Sequence, residues 1–196
     1  MNLPNKLTLG RLCMVPVFLV LMCVKLPFLS ETALRIIAAV IFVLTSLTDM
    51  LDGKIARKYN LITDFGKFMD PLADKFLVIA ALIGILVNPY FEYLRSVFVW
   101  AVVVVIFREF AVTSMRMIAS SKAGLVIAAA WLGKVKTTTQ MICIVTVLLE
   151  PVLFPWTPFT EWHILSYITI AAMTVMTLWS GIDYLKKYWP YIGATK

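Results

Sequence analysis

Six apolar segments occupy most of this 196-residue sequence, and they constrain the fold more than any other feature. Hydrophobic residues make up 61% of the chain and charged residues 15%, whereas soluble domains are roughly half apolar and a quarter charged. A soluble core of this length cannot hide so much apolar surface, so a water-soluble globule and a disordered chain are both excluded. The composition predicts one integral-membrane domain over residues 1–196. The segments are Leu7–Val24, Ala33–Thr48, Phe76–Asn88, Ser96–Met115, Val135–Leu149 and Ile164–Ile182.

The distribution of basic residues predicts how these segments cross the membrane. A spanning helix needs about 20 mostly apolar residues, and only Ile164–Ile182 has an uncharged run near that length, so the other spans must carry charges at their ends. With the N-terminus in the cytoplasm, 15 of the 18 basic residues lie on the inner side, and the others are Lys25, Arg35 and Arg95. The positive-inside rule then predicts an all-α membrane protein with six transmembrane helices and both termini cytoplasmic. The basic charge faces an anionic leaflet, so no nucleic-acid partner is expected.

Proline and turn residues mark the ends of several spans. Pro27 follows the first span, Asn88–Pro89 ends the third, and a proline cluster that begins at Pro151 follows the fifth. Because proline lacks a backbone N–H and ends or kinks helices, we expect the fifth span to end before Pro151.

Two pairs of aspartates lie around the connection between the second and third spans. Asp49 and Asp52 are three residues apart, and Asp70 and Asp74 are four apart, so each pair shares one face of a helix. Two helices joined by a short cytoplasmic loop can direct all four carboxylates to one point, where they would repel one another strongly. A divalent cation relieves this repulsion, and an all-oxygen ligand set suits Mg²⁺ or Mn²⁺. The cluster therefore predicts a metal site.

A solvated loop is the alternative interpretation of the same aspartates. In that case they would only form ion pairs with the basic residues nearby. Small residues argue against it, because Gly53 and Ala56 beside the acids and Gly66 on the facing helix leave room for a bulky ligand to approach the backbone. The basic residues in question are Lys54, Arg57, Lys58, Lys67 and Lys75.

The segment from Asp49 to Asp74 follows the pattern Asp-x2-Asp-Gly-x2-Ala-Arg-x8-Gly-x3-Asp-x3-Asp, with every fixed position filled. This signature resembles that of the CDP-alcohol phosphotransferase family, and the six spans with cytoplasmic termini resemble its fold. Members of the family transfer a phosphate-linked group from a CDP-alcohol to a second alcohol and release CMP. The resemblance implies two bound divalent ions, Mg²⁺ or Mn²⁺, and a homodimer.

The resemblance also implies roles for individual residues. Asp49, Asp52, Asp70 and Asp74 would ligate the metal ions, and Asp74 would in addition act as the general base. The CDP-linked substrate would contact residues of the signature and of the N-terminal segment, which are Thr8, Arg11, Asp52, Gly53, Ala56, Arg57, Gly66 and Asp70.

Three weaker patterns lie outside the signature, around residues 5–11, 108–116 and 133–140. Together they resemble the bacterial phosphatidylglycerophosphate synthases, the subgroup whose acceptor is glycerol 3-phosphate. This implies CDP-diacylglycerol as the donor, and a multi-pass protein among the lipids of the bacterial cell membrane with its active site on the cytoplasmic side. The acceptor phosphate would bind Arg108, Arg116, Lys134 and Lys136.

Simpler interpretations exist for the charges outside the signature. Ordinary membrane anchoring is the alternative for Arg108, Lys134 and Lys136, which we expect at the inner ends of their helices. Glu109 is interpreted as the charge partner of a basic neighbour.

Two alternative functions remain open at this point. A relative in the same family would use another acceptor, such as phosphatidylglycerol or inositol phosphate. A divalent-cation transporter would use the aspartates as its ion site, but transporters place such acids near mid-bilayer with an access path from outside. The aspartates here lie at the cytoplasmic ends of the spans, so we expect an enzyme.

Overall fold

The computed structural model describes residues 2–58, 63–123, 131–154 and 162–193, and these ranges contain six α-helices and no β-strand. Some side chains within these ranges lie outside the description, namely those of residues 3, 4, 49–58, 64, 65, 67, 68, 70, 71, 119–123 and 190–193. A 3-10 helix, Pro89–Leu94, joins the third helix to the fourth. The prediction of an all-α fold is confirmed. The helices are α1 (Leu3–Cys23), α2 (Glu31–Lys58), α3 (Asp64–Val87), α4 (Arg95–Ala123), α5 (Trp131–Leu153) and α6 (Ile164–Gly193).

Within the described ranges, five segments are long and apolar enough to cross a membrane, and they correspond to five of the six predicted spans. Their outer surface is apolar as well, since Trp100 and Phe107 are 72% and 73% exposed. The remaining predicted span, Phe76–Asn88, lies in α3, which begins much earlier at Asp64. The five segments are Asn5–Cys23, Glu31–Thr48, Pro89–Ile118, Trp131–Leu153 and Ile164–Trp189.

The core lies between α1, α2 and α3 on one side and α4, α5 and α6 on the other, with α2 packed against α5. Phe18 of α1 and Phe42 of α2 are fully buried, with their ring centroids 6.2 Å apart. Gly84 lets α3 approach α1 closely, because an added Cβ would lie 3.1 Å from the Cβ of Met22. At the end of α3, Asn88 donates a hydrogen bond of 2.7 Å to the Met22 carbonyl.

Pro151 lies inside α5, so the prediction that the fifth span ends before it is wrong. The helix ends two residues later at Leu153, where the missing proline N–H disturbs only the last turns. Because α5 continues past the predicted end of the span at Leu149, the buried Glu150 lies within the helix and next to the start of α6. Its carboxylate accepts hydrogen bonds of 2.9 Å from the backbone N–H groups of Leu165 and Ser166, which are otherwise unpaired at the start of α6.

Candidate active site

A cavity of about 840 Å³ opens between α2, α3, α4 and α5. Asp74 of α3 lines it, and Phe42 and Val78 form part of its apolar wall. The cavity brings together all four cations that the sequence suggested for an acceptor phosphate. Among the described residues, its charged lining consists of five basic side chains and two carboxylates, and this excess of positive charge suits an anionic ligand. These residues are Lys75, Arg108, Arg116, Lys134, Lys136, Asp74 and Glu109.

The helices carry the two aspartate pairs on either side of residues 59–63. Asp49 and Asp52 lie in the last turns of α2, while Asp70 and Asp74 lie in the first turns of α3. Helical spacing keeps each pair on one face, and a set of carboxylate oxygens fits Mg²⁺ or Mn²⁺. Among the four, Asp74 is the one whose side chain is described. The side chains of Asp49, Asp52 and Asp70 lie outside the description, and so do the surroundings of Gly53, Ala56 and Arg57, which the sequence predicts for the CDP site and which lie in the last turns of α2.

The beginning of α1 is tied to the beginning of α3 through one threonine. The Thr63 hydroxyl accepts a hydrogen bond of 3.1 Å from the Gly66 N–H, which caps α3, and donates one of 2.9 Å to Asn5 Oδ1. Thr8 and Arg11 follow on α1 and are buried, with 1% and 2% exposure. The N-terminal pattern and the aspartate signature therefore meet in space.

Glu109 holds two of the candidate cations in the wall of the cavity. Its Oε1 accepts hydrogen bonds from Lys136 of α5 and, at 3.2 Å, from Nη1 of Arg108. Lys136 is 4% exposed, and a buried ammonium is stable only when it is paired. Asp74 adds a second, electrostatic attraction on Lys136. The interpretation of Glu109 as a charge partner is confirmed.

Helix α6 supplies the other contacts to the arginines. The Ser180 hydroxyl accepts hydrogen bonds of 3.1 and 2.8 Å from Nε and Nη2 of Arg108. The Tyr184 hydroxyl accepts one of 2.5 Å from Arg116, whose guanidinium carbon lies 5.2 Å from the centroid of the Tyr184 ring. Gly181 leaves room for the stem of Arg108, because an added Cβ would lie 3.2 Å from the Arg108 Cγ.

Sequence reasoning missed both Ser180 and Tyr184. Their spacing of four residues, which puts them on one face of α6 with Gly181 beside them, is the signal that was available. The sequence also placed Arg108 at the inner end of its helix. That expectation is wrong, since Arg108 lies near the middle of α4, and the helix continues to Ala123.

Two lysines at the cavity differ from the buried Lys136. Lys75, next to Asp74 in the sequence, donates a hydrogen bond to the Thr113 hydroxyl, and sequence reasoning had considered it only as an ion-pair partner on a loop. Lys134 is exposed at the cavity, and among the described residues no carboxylate forms an ion pair with it. Lys134 is therefore the cation with the most freedom to meet a ligand.

Comparison with known proteins finds relatives over nearly the whole chain. Residues 1–181 match the CDP-alcohol phosphatidyltransferase family. The chain is similar to the CDP-diacylglycerol–glycerol-3-phosphate 3-phosphatidyltransferase of Bacillus subtilis, with 40% identity over 96% of this chain and 95% of that protein. Proteins of the same name from Sodalis glossinidius and Yersinia enterocolitica are 37% and 34% identical. These matches cover 94% and 96% of this chain and 93% and 96% of the two proteins.

Proposed function

Since the chain belongs to the CDP-alcohol phosphatidyltransferase family, we propose that it transfers the phosphatidyl group of CDP-diacylglycerol to glycerol 3-phosphate, which yields phosphatidylglycerol phosphate and CMP. The names of the three relatives state the same donor and acceptor. Family membership also favours an enzyme over a divalent-cation transporter.

The observation that carries the acceptor assignment is the charge of the cavity beside Asp74. The phosphate of glycerol 3-phosphate carries about 1.5 to 2 negative charges at neutral pH, and it must be held apart from the reacting pyrophosphate. In the described part of the lining, five basic side chains face two carboxylates, which suits a small dianion. A phosphatidylglycerol acceptor would bring one negative charge and two acyl chains, so it matches this lining less well.

In the proposed reaction, the primary hydroxyl of glycerol 3-phosphate attacks the phosphorus atom that carries diacylglycerol. The bond between that phosphorus and the bridging oxygen of CMP breaks, and CMP leaves with the bonding electrons. The hydroxyl proton must pass to a base, since an alcohol is a weak nucleophile without proton transfer. Asp74 lines the cavity in which the acceptor would lie, and we assign it this role.

The four aspartates would hold two divalent ions, Mg²⁺ or Mn²⁺, on the pyrophosphate side of the cavity. Such ions supply charge neutralisation for the pyrophosphate and for the leaving phosphate. The chain's own contribution to donor binding comes from Arg57, which can make paired hydrogen bonds with a phosphate, and from the small residues that admit the nucleotide. Thr8 and Arg11 of α1 complete this side, together with Asp52, Gly53, Ala56, Gly66 and Asp70.

The basic residues on the other side of the cavity fall into two groups with different proposed roles. Arg108 and Lys136 are buried and already bonded to Glu109, so they contribute fixed positive charge. Lys134 is exposed, and Arg116 is oriented by Tyr184, so these two would contact the acceptor phosphate directly. Paired donors from Arg116 and a mobile ammonium from Lys134 suit a phosphate group.

An apolar groove between α1 and α3 provides a path for an acyl chain of the donor. Its volume is about 410 Å³, and its described lining is apolar. Ile79 lines both this groove and the cavity beside Asp74, so the two are neighbours. The groove residues are Leu12, Val15, Pro16, Leu19, Phe76, Ile79, Ala80 and Ile83.

We further propose that all six helices span the bacterial cell membrane as one domain, with both termini and the cavity on the cytoplasmic side. The distribution of basic residues supports this orientation. By family resemblance, the protein is a homodimer.

CMP release by the purified protein tests the proposed function. CDP-diacylglycerol is supplied as the donor, with glycerol 3-phosphate, phosphatidylglycerol or inositol phosphate as the acceptor. We expect CMP to be released with glycerol 3-phosphate and much less with the others. Preference for inositol phosphate or phosphatidylglycerol would move the protein to another acceptor within the family, and no CMP with any acceptor would reject the proposal.

A further inference from the structure

A second cavity, with charged residues in a largely apolar lining, lies at the opposite end of α2 and α3 from Asp74. Its volume is about 590 Å³, and it is bounded by the end of α1, the beginning of α2 and residues 88–90. On α2, Arg35 precedes Phe42 of the first cavity by seven residues, and Asn88 follows Ile79, the last residue of α3 in that cavity, by nine. At about 1.5 Å per helical residue, the nearest lining residues are roughly 10 to 14 Å apart along the helices. The described linings of the two cavities share no residue.

Arg35 has hydrogen-bonding capacity at this cavity that the described structure does not use. Its guanidinium carbon lies 5.3 Å from the ring centroid of Tyr90 and 5.4 Å from that of Phe91. Its Nε is buried and has no hydrogen-bond partner among the described residues. The side chain as a whole is half-buried and lines the cavity, so a ligand in the cavity can reach its guanidinium group. A buried, charged donor without a partner is costly, so the site favours an acceptor that enters from outside.

The other charged residues of the cavity leave a positive excess. Lys25 lines it together with Arg35, and no described carboxylate forms an ion pair with either one. Glu31 is the acid among the described residues of this lining. Two cations against one carboxylate leave the described lining with a net positive charge, which favours an anion.

The position of the cavity favours a ligand from the lipid–water boundary. It lies at the end of the Asn5–Cys23 span and the start of the Glu31–Thr48 span. Phe28, close to Lys25 in the sequence, is 77% exposed, as expected for a side chain that contacts lipid. Lipid phosphates are found at this depth, where aromatic and basic residues gather.

We propose that this second cavity binds a phosphate-bearing anion through Arg35 and Lys25, at a site separate from the one that holds the substrates. The guanidinium fork matches two phosphate oxygens, and the aromatic rings hold it in place. The phosphate comes from the headgroup of an anionic phospholipid or from free phosphate.

Thermal unfolding of the purified protein in a zwitterionic detergent tests this site. Phosphatidylglycerol, phosphatidylcholine or sodium phosphate is titrated into the wild type, Arg35→Gln and Lys25→Gln. Arg95→Gln is the matched control, because Arg95 is exposed, pairs with Glu92 at 3.1 Å and does not line the cavity. CMP release by each variant verifies that the fold and the first cavity are intact.

We expect phosphatidylglycerol to raise the unfolding midpoint of the wild type and of Arg95→Gln, and phosphatidylcholine to have little effect. Arg35→Gln should need about tenfold more phosphatidylglycerol for the same rise, which corresponds to about 1.4 kcal/mol, while its CMP release stays unchanged. An equal effect of sodium phosphate would identify free phosphate as the ligand. If Arg35→Gln does not fold, Arg35→Lys and Lys25→Gln give the same comparison. The proposal would be overturned if Arg35→Gln and Lys25→Gln responded to phosphatidylglycerol as Arg95→Gln does. It would also be overturned if neither phosphatidylglycerol nor sodium phosphate changed the unfolding midpoint of the wild type.

Discussion

Glu109 of α4 and Lys136 of α5 form a buried ion pair in the wall of the cavity that contains Asp74. The same carboxylate oxygen accepts a hydrogen bond from Arg108, 3.2 Å away. The Glu109 carboxylate thus holds two cations in place, Arg108 from its own helix α4 and Lys136 from α5. Such a pair contributes little net stability when intact but is costly to break from one side, so we expect the shape of the proposed acceptor side of the cavity to depend on Glu109.

Glu109→Gln removes this charge and keeps the size of the side chain. Leaving buried cations uncompensated costs about 3 to 5 kcal/mol, so we expect a lower unfolding midpoint and a higher KM for glycerol 3-phosphate. The KM for CDP-diacylglycerol should change little. Glu92→Gln is the control, because Glu92 is exposed and pairs with Arg95 outside the cavity. A Glu109→Gln enzyme as stable as Glu92→Gln would contradict the role assigned to the buried pair.

Replacing Arg116 or Lys134 by Gln should weaken use of glycerol 3-phosphate by roughly ten- to a hundredfold. Hydrogen bonds to charged groups are worth about 1.5 to 3 kcal/mol each, and about 1.4 kcal/mol is a factor of ten. Steady-state kinetics with each substrate varied in turn measures the effect. Lys187→Gln is the control, since Lys187 is an exposed lysine of α6 that does not line the cavity. If the variants used both substrates equally less well, or used both as well as the wild type, Arg116 and Lys134 would be assigned to membrane anchoring instead of acceptor binding.

Tyr184→Phe tests whether α6 orients the acceptor site. The change removes the hydroxyl that accepts a hydrogen bond from Arg116 and keeps the ring that lies beneath the guanidinium. A net hydrogen bond is worth about 0.5 to 1.5 kcal/mol, so we expect the KM for glycerol 3-phosphate to rise roughly three- to tenfold. Tyr167→Phe also loses one hydrogen bond, of 3.0 Å to the Tyr93 carbonyl, but away from the cavity. It should leave this KM unchanged, and identical behaviour of the two variants would remove Tyr184 from the site.

Removal of divalent ions should abolish activity. If the aspartates hold Mg²⁺ or Mn²⁺ against the pyrophosphate, excess EDTA stops CMP release and either ion restores it, because the clustered negative charge is no longer neutralised without them. Circular dichroism before and after chelation verifies that the helices persist. Full activity in EDTA would reject the metal mechanism.

Asp74→Asn separates the base from the metal ligands. A variant such as Asp49→Asn, which has lost only a ligand, should recover in part at high metal concentration. Asp74→Asn should remain inactive at saturating metal while still binding CDP-diacylglycerol, because the amide cannot accept the proton. Single-turnover CMP release and donor binding are measured side by side. Substantial recovery of Asp74→Asn with metal would assign the proton transfer to another group.

Much of the architecture follows from local features of the sequence. The apolar segments predict the helices because burial in lipid depends on composition over about 20 residues. The aspartate pairs fall on helices because their spacing of three and four is helical. Glu109 needed a basic partner because a carboxylate within an apolar helix is not stable alone. The sequence did not indicate that this partner would be Lys136, which lies twenty-seven residues further along the chain.

What only the tertiary structure decided is which distant side chains meet. Composition and spacing alone determined a chain of long apolar helices with a carboxylate signature, and predicted a basic inner side, since those properties belong to one helix at a time. The convergence of Arg108, Arg116, Lys134 and Lys136 on one cavity depends on how α4 and α5 are rotated against α3. The parts played by Ser180 and Tyr184 depend on the close approach of α6 to α4 at Gly181. Helix rotation and approach result from packing summed over many small contacts across the whole bundle, and no single stretch of sequence contains that sum.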